Sequence, residues 1–260
     1  NRVDCAPEAV TRPQMKTTVV LPTYNEAQNI GVMTAALLEL PLDDLAILIV
    51  DDDSPDGTGQ LADGLAAGQP ERVQVLHRVN KRGLGSAYVE GFNHALQAGA
   101  QVIIQMDADF SHAPRYIPEM HTTLSDCDVV VGSRYVVGGR LDEDWGWGRR
   151  LLSLFANSVY TRSILRLQVR DVTSGFRAWK RETLLGLGLQ RVRSNGYVFQ
   201  VELAYLTERL GYQVREFPIY FEDRRIGRSK MSQRNILEAV WRTPLVAYTH
   251  RRLTPADRRR

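Results

Sequence analysis

Two aspartates stand one residue apart at the end of a short apolar run. Asp107 and Asp109 follow Val102–Ile104, in the segment QMDADFSH from Gln105 to His112. Carboxylates at the end of a buried strand are costly unless they are solvated, hydrogen-bonded or paired with a cation. A divalent cation, which prefers oxygen ligands, is one interpretation of this pair. A strand followed by an Asx-type turn with solvated acids is the other, and the tripeptide alone does not separate the two.

Three further polar clusters follow apolar runs: Pro22–Glu26, Asp51–Asp56 and Gly132–Arg134. In the first cluster, the Tyr24 ring and a neighbouring acceptor side chain could hold a nucleobase or ribose. A turn that begins at Pro22 would give the same pattern. In the second cluster, one of the acids could accept a hydrogen bond from a ribose hydroxyl or a base N–H. Its Ser-Pro-Asp-Gly part is more typical of a turn and helix cap.

Several basic residues have spacings that suit anion binding. Arg149 has Ser153 at the i+4 position, so both lie on one face of a mostly apolar predicted helix, 149–167. An ordinary amphipathic helix with a solvated edge would show the same stripe. Arg224 and Lys230 lie in a basic, Gly-containing segment before another predicted helix, where flexible guanidinium and ammonium groups suit a diphosphate. The overall charge balance argues against a nucleic-acid surface.

Elements that would position these residues alternate along the chain from Thr17. Short β-rich runs are predicted at 17–21, 45–50, 73–76, 102–106 and 129–131. Helical runs are predicted at 28–40, 60–67, 83–98 and 114–124. This alternation predicts an α/β fold with a mostly parallel, Rossmann-like sheet covered by helices on both faces. Ligands of such sheets bind at the carboxyl ends of the strands, so the four polar clusters should meet in one crevice.

Composition and missing motifs exclude several classes of protein. The 260 residues carry a formal net charge of +3, and neither a P-loop nor a complete GxGxxG fingerprint occurs. Two cysteines without CxxC spacing argue against a disulfide framework and fit a reducing compartment. The last long apolar stretch, 236–248, is interrupted by Arg242 and Pro244, so no membrane-spanning helix is expected. We expect a loose lead-in at 1–15, a single domain at 16–250 and a basic tail at 251–260 that either lies on an anionic surface or is solvated.

Taken together, the motifs resemble those of the dolichol-phosphate mannose synthases, within the inverting family 2 glycosyltransferases of the GT-A fold. They run in order from Pro22 to Lys230 and cover about the whole domain: PTYNE, VDDDSPDGT, KRGLGSAYVEGF, MDADFSHAP, GSRYVVGG, DVTSGFRAW and DRRIGRSK. The resemblance implies a GT-A fold and transfer of mannose from GDP-mannose to a polyprenyl or dolichyl monophosphate, with Mg²⁺ or Mn²⁺. A polyprenyl-phosphate glucosyltransferase that uses UDP-glucose, and a non-catalytic module that binds nucleotide sugar or lipid phosphate, are the alternatives.

Roles for individual residues also follow from the resemblance. It assigns the nucleoside to Pro22, Tyr24, Glu26, Val50 and Asp52. It assigns the sugar nucleotide and metal to Asp107, Ala108 and Asp109, and the diphosphate to Arg224 and Lys230. It assigns the acceptor phosphate to Arg134, Arg149 and Ser153. The catalytic candidates are Asp107, Asp109, Arg134 and Arg224. Ser111 stands where some members have a metal-binding Gln, so its place as a third ligand is open.

A lipid acceptor implies contact with a membrane. Many relatives add C-terminal transmembrane helices, and none is predicted in these 260 residues. We therefore expect a peripheral protein at the cytoplasmic face of a membrane. Its contact would come from helix surfaces, from the basic tail, or from a membrane partner subunit or domain, and the acceptor side would be formed by the amphipathic helix that starts at Arg149.

Overall fold

Strands and helices alternate through the first half of the chain, as the apolar pattern predicts. The structure, a computed structural model, describes residues 15–142, 160–196, 198–222 and 233–259. The strands of the first half are β1 (Thr17–Thr23), β2 (Leu45–Asp51), β3 (Val73–His77), β4 (Val102–Gln105) and β5 (Val129–Ser133). Its helices are α1 (Ile30–Leu38), α2 (Thr58–Gly68), α3 (Leu84–Gln97) and α4 (Ile117–Thr123). Single 3₁₀ turns flank α4 on both sides.

Seven strands form the central sheet, in the order β3-β2-β1-β4-β7-β5-β8. Here β7 is Arg177–Lys180 and β8 is Val214–Pro218. β7 runs antiparallel to both of its neighbours, and the other strand pairs of this sheet are parallel. The carboxyl ends of β1, β2, β4 and β5 therefore lie along one edge of the sheet, as expected for a ligand-binding edge.

The two faces of the sheet are buried by different helices. Along β1, Val19 and Leu21 point into a cluster with α1, α2 and α4, because alternate side chains of a strand face opposite sides. Val20 points into a second cluster with α3 and with two later helices, α6 (Arg181–Leu187) and α7 (Val198–Arg209). This arrangement confirms the α/β class with helices on both faces.

Regular structure continues beyond the last strand expected from the sequence. Apart from β7, β8, α6 and α7, the later half contains the two-stranded pair β6 (Arg140–Leu141) and β9 (Tyr220–Phe221). It also contains the short helix α5 (Arg162–Leu165) and the long helix α8 (Gln233–His250). The sequence pattern predicts no strand beyond 129–131, and the structure adds β6 to β9. Short strands such as β7 have little periodicity of their own and are formed by pairing with distant strands.

The C-terminal segment packs on the domain. Arg258 donates to the carbonyl oxygens of Leu210 and Gly211, and the backbone N–H of Arg259 donates to Gly186. Just before this segment, His250 at the end of α8 contacts Glu202 of α7 at 2.7 Å, and both side chains are buried. Up to residue 259, the basic tail is therefore tied to the domain by these hydrogen bonds, while all of its residues except Leu253 are exposed to solvent.

The packing of α3 against the sheet depends on Gly91. A Cβ atom at this position would lie 2.5 Å from Val20 Cγ1 and 3.0 Å from Val50 Cγ2, and both valines are fully buried. We expect Gly91→Ala to lower the free energy of unfolding by about 1–3 kcal/mol through overpacking. Urea denaturation measures this change.

The matched control is Gly64→Ala in α2, where an added Cβ has no atom within 4 Å. That variant should gain up to about 1 kcal/mol, because alanine favours the helical backbone. Equal stabilisation of both variants would contradict the close approach of α3 to β1 and β2.

Candidate active site

The Asp107 and Asp109 side chains lie in the turn that follows β4. Asp109 is 4% exposed, and its Oδ1 accepts hydrogen bonds from the Ser111 backbone N–H at 3.1 Å and from Ser111 Oγ at 2.6 Å. Asp107 is more open, with its side chain 31% exposed, and its Oδ1 accepts from the Tyr88 hydroxyl at 2.8 Å. Between them, Ala108 is buried, and Phe110 turns the chain with a φ of 64°. Both carboxylates are thus fixed by hydrogen bonds at the carboxyl edge of the sheet.

Two neutral side chains, Tyr88 and His112, lie next to Asp107. Burial, and then the adjacent carboxylate of Asp107, raise the pKa of Tyr88 well above its usual value, so the Tyr88 hydroxyl keeps its proton. Burial lowers the pKa of His112 and outweighs the opposing effect of Asp107. The His112 Nδ1 accepts the Asp107 backbone N–H at 3.2 Å, which places the ring proton on Nε2. The 3.9 Å approach of His112 to the Asp107 carboxylate is therefore not a salt bridge.

The donor atoms at Asp107 and Asp109 fit a hard divalent cation. Within the described ranges, no group of three His, Cys, Asp or Glu side chains has the spacing of a complete metal site. Mg²⁺ is commonly held by one or two carboxylates, with phosphate oxygens and water completing the shell, and this pair offers that arrangement. The Ser111 hydroxyl donates to Asp109, and whether its oxygen also binds a cation stays a prediction.

Loops after β1 and β2 are joined to each other. The backbone N–H groups of Glu26 and Ala27 donate to Thr58 Oγ1 and to Asp56 Oδ2. Although its slight burial works in the other direction, hydrogen bonds from Thr58 and Ala27 hold the pKa of Asp56 below its usual value. Asp56 thus holds two turns, because its carboxylate accepts the backbone N–H of Thr58 at the start of α2 and that of Ala27 after β1. The N-cap of α2 is Gly57, without a side-chain cap bond, so the turn part of the Ser-Pro-Asp-Gly prediction fits and the side-chain cap is absent at this helix.

Asp52 stabilises a second loop, and its side chain is buried instead of exposed at the carboxyl edge of the sheet. Its carboxylate contacts Arg78 Nη1 at 2.5 Å and accepts the backbone N–H groups of Arg82 and Gly83 at 3.0 and 2.9 Å. Asn195 clamps the same turn, since its side chain accepts from the Gly85 N–H and donates to the Arg82 carbonyl. Contact between Asp52 and a nucleoside stays a prediction. The bonds described here show that Asp52 holds the KRGLG turn.

The other residues assigned to the nucleoside lie near this turn in different ways. Lys81 Nζ lies 3.4 Å from the centroid of the Tyr24 ring, so this turn reaches the aromatic face. Glu26 accepts a hydrogen bond from Asn29 at 2.8 Å. Pro22 pairs with Val50 in the register of β1 and β2. The Val50 side chain is fully buried in the core below α3, so only its backbone could face a ligand.

Arg134 is held by a carboxylate that the sequence analysis did not single out. Its Nε and Nη2 bind Asp171 at 2.7 and 2.6 Å, and Nη2 also donates to Thr173 at 2.8 Å. Burial alone would lower the pKa of Arg134, but Asp171 raises it above its usual value, so the guanidinium stays charged. Phe221 lies 5.1 Å from this guanidinium and 5.8 Å from the His112 ring. The Phe221 ring therefore contacts both Arg134 and His112, the histidine next to Asp107.

Four predicted residues lie outside the described ranges: Arg149, Ser153, Arg224 and Lys230. The structure adds others that the sequence analysis missed: Tyr88, His112, Asp171, Asn195 and Gln200. His112 could have been predicted from the sequence, because it belongs to the same motif as Asp107. The others come from remote segments, and only the folded sheet brings them together.

Comparison with known proteins places the chain in context. The family profile described as "Glycosyl transferase family 2" matches residues 18–186. A "Polyprenol monophosphomannose synthase" of Mycolicibacterium smegmatis is 43% identical over 235 residues, which cover 90% of this chain and 88% of that protein. An "Undecaprenyl-phosphate mannosyltransferase" of Micrococcus luteus is 42% identical over 226 residues, which cover 87% and 91%.

A solved structure shares the fold. The mannosyltransferase PcManGT from Pyrobaculum calidifontis, in complex with GDP-Man and Mn²⁺, superposes with a TM-score of 0.57 at 20% identity. The match covers 96% of this chain and 77% of that chain. The expected GT-A architecture is thereby confirmed.

Because the ion pair of Arg134 and Asp171 is buried, we expect its loss to lower the free energy of unfolding. Arg134 is 10% exposed and Asp171 is fully buried, so Asp171→Asn would leave a buried guanidinium without its counter-charge. We expect the variant to lose about 3–5 kcal/mol of unfolding free energy in urea denaturation. Asp126→Asn, which breaks the exposed pair with Arg215, should lose less than about 1 kcal/mol. Similar losses for both variants would contradict the account of this pair.

Proposed function

The chain belongs to glycosyl transferase family 2, and on this premise we propose that it transfers mannose from GDP-mannose to a polyprenyl or dolichyl monophosphate. The products are GDP and a lipid-phosphate mannose. Two relatives at 42–43% identity carry names with this sugar and a polyprenyl acceptor, which supports the choice of substrates. The observation that carries the catalytic part is the Asp107 and Asp109 pair, fixed at the carboxyl edge of the sheet.

We assign the donor nucleotide to the crevice beside β1, β2 and β4. Tyr24, Glu26 and Pro22 would contact the nucleoside from the end of β1, while Val50 would contribute its backbone. Asp52 would act mainly by holding the turn that carries Lys81 close to the Tyr24 ring. From the segment outside the described ranges, Arg224 and Lys230 would bind the diphosphate.

Mg²⁺ or Mn²⁺ would be held by Asp107 and Asp109, with the diphosphate and water as further ligands and Ser111 as a candidate third protein ligand. A cation bound there neutralises charge that develops on the departing GDP. The related mannosyltransferase structure contains GDP-Man and Mn²⁺, which supports this pairing of ligands. The Tyr88 hydroxyl holds Asp107 in place without cancelling its charge, because the pKa of Tyr88 is raised by burial and by Asp107 itself.

The acceptor phosphate would lie near Arg134, with Arg149 and Ser153 completing its site. Because Asp171 already offsets the charge of Arg134, the Arg134 side chain contributes directed N–H groups more than net charge. The balance of positive charge would then come from Arg149, which lies outside the described ranges and at the start of the helix predicted from the sequence.

The nucleophile needs no general base. A phosphate monoester has a second pKa of about 6, so the lipid phosphate is mostly a dianion at neutral pH and its attacking oxygen carries no proton that a base must remove. The protein's task is to place this oxygen in line with the anomeric carbon and opposite the diphosphate. Direct displacement from an α-linked donor then gives a β-linked product. The His112 ring leaves no nitrogen free to accept a proton from the nucleophile, because its Nδ1 accepts the Asp107 backbone N–H and its Nε2 carries the ring proton.

The proposal is tested by a transfer assay. The protein is incubated with radiolabelled GDP-mannose or UDP-glucose, a short polyprenyl phosphate and Mg²⁺ or Mn²⁺, and organic-extractable label is counted. We expect label from GDP-mannose, and a loss of at least about 100-fold in Asp109→Asn, because metal-assisted charge stabilisation contributes several kcal/mol. The amide oxygen of this variant can still accept from Ser111, so the metal-free variant should melt near wild type.

Asp53→Asn serves as the control, since Asp53 is exposed after β2 and its φ of 62° suits asparagine. It should transfer at nearly the wild-type rate. No transfer from either donor would contradict the enzyme, and transfer from UDP-glucose alone would replace mannose by glucose. Unfolding of Asp109→Asn would assign that residue a structural role.

We further propose that the protein meets the cytoplasmic face of a membrane through α8. No helix within the described ranges is long and apolar enough to span a bilayer. On α8, Trp241, Leu245 and Tyr248 follow each other at helical spacing and are 48–65% exposed, and Arg251 and Arg252 come directly after the helix. Aromatic and aliphatic side chains next to arginines are typical of helices that lie in a lipid interface. A membrane partner subunit or domain is the second candidate for this surface.

Vesicle sedimentation tests the role of α8. The double variant Trp241→Ser, Leu245→Ser should bind vesicles of anionic phospholipid at least about tenfold more weakly than wild type, since each burial contributes roughly 2 kcal/mol. Leu61→Ser is the matched control, because Leu61 is 50% exposed on α2. Equal binding by the double variant and the control would contradict membrane contact through α8.

A further inference from the structure

A chain of three buried polar side chains runs from the core of the sheet to the carboxylate site. The Trp179 indole N–H of β7 donates to Gln105 Oε1 of β4 at 3.1 Å. The Gln105 amide then donates through Nε2 to Gln200 Oε1 of α7 at 2.6 Å. Trp179 and Gln105 are fully buried, and Gln200 is 3% exposed.

The chemistry of these groups fixes the direction of the chain. An indole N–H is a donor only, so the Gln105 atom that faces Trp179 must be the amide oxygen. The nitrogen of Gln105 then faces Gln200, which must present its own oxygen in return. Consequently the Gln200 end that points away from the chain is the NH₂ group. The hydrogen bonds thus determine which end of each amide is oxygen and which is nitrogen.

Gly175 shows where the Gln200 NH₂ group points. A Cβ atom on Gly175 would lie 3.3 Å from Gln200 Nε2, 3.4 Å from His112 Cε1 and 3.5 Å from Asp107 Oδ2. These three side chains therefore converge on the space that Gly175 leaves beside the more open of the two carboxylates. In the part of the chain that the structure describes, the Gln200 side chain bonds through Oε1 to Gln105, and its Nε2 makes no hydrogen bond.

The backbone around this space is held firmly. Arg177 donates to the carbonyl oxygens of Val172, Ser174 and Gln200 at 2.9–3.1 Å, which ties the turn at Gly175 to the first turn of α7. The Gln200 amide is thus rigidly placed, and its Nε2 donor faces the space beside Asp107 without an acceptor among the described residues. A fixed donor of this kind suits a ligand that supplies an acceptor oxygen.

We propose that Gln200 Nε2 donates a hydrogen bond to an acceptor oxygen of the bound donor, and that this oxygen belongs to a hydroxyl of the transferred sugar. This inference rests on the proposed function. With the diphosphate at Asp107 and Asp109, the sugar is the next group along the donor. A neutral amide suits a neutral hydroxyl, and the missing side chain of Gly175 keeps the space beside Gln200 Nε2 and Asp107 Oδ2 clear.

The test compares two probes, GDP-mannose and GDP, by titration calorimetry in the presence of Mn²⁺. Gln200→Met keeps the length of the side chain and removes both the Nε2 donor and the Oε1 that accepts from Gln105, so the affinity for GDP reports any general damage. The variant should weaken the affinity for GDP-mannose about tenfold and change the affinity for GDP by less than about twofold, as loss of one buried hydrogen bond predicts. Gly175→Ala, which fills the same space and keeps the hydrogen bond between Gln105 and Gln200, should also weaken only GDP-mannose.

Thr207→Val is the control for general damage to α7, because it removes a buried hydrogen bond to Leu203 away from the site. It should leave both affinities unchanged. Equal weakening of GDP and GDP-mannose in Gln200→Met would place the oxygen on the diphosphate and overturn the assignment, as would unchanged affinities in both site variants. If the wild-type protein transfers mannose normally, these outcomes refute this inference alone. Absence of both transfer and GDP-mannose binding in the wild type would refute the proposed function with it.

Discussion

Carboxylates at the end of a buried strand must be stabilised without losing the charge that makes them useful. The hydrogen bonds described at Asp107 and Asp109 come from neutral donors, the Tyr88 hydroxyl and Ser111, and such donors offset desolvation while they leave a negative charge for a cation. Asp52 and Asp171 lie near the same edge but are paired with arginines. Asp107 and Asp109 are therefore suited to bind a cation, whereas Asp52 and Asp171 hold the surrounding loops in place.

The antiparallel strand β7 is what assembles the second half of the site. It lies between β4 and β5, and the turn before it carries both Asp171, which holds Arg134, and Gly175, which opens the space beside Asp107. The same strand carries Trp179, whose donor-only indole sets the orientation of two buried amides. One short strand thus links the sites proposed for acceptor phosphate and donor sugar.

The sequence predicted the first half of the fold well and the second half poorly, for a physical reason. Strands β1, β2 and β4 are apolar on both faces and end in polar clusters, so their ends and the position of Asp107 could be placed from local pattern alone. By contrast, β7 is four residues long with a buried arginine, and it exists through its pairing with β4 and β5. Contacts such as Arg134 with Asp171 or Gln105 with Gln200 join residues 37 and 95 positions apart, and no spacing rule predicts them.

The central claim is that Asp107 and Asp109 bind the donor diphosphate through a divalent cation at the carboxyl edge of the sheet. A crystal structure with GDP-mannose and Mn²⁺, with anomalous scattering recorded for manganese, measures this directly. The account predicts a manganese peak in coordinating contact with both the carboxylate pair and the diphosphate, with the nucleoside beside Tyr24. A manganese ion bound elsewhere, or a diphosphate that does not approach Asp107 and Asp109, would contradict it.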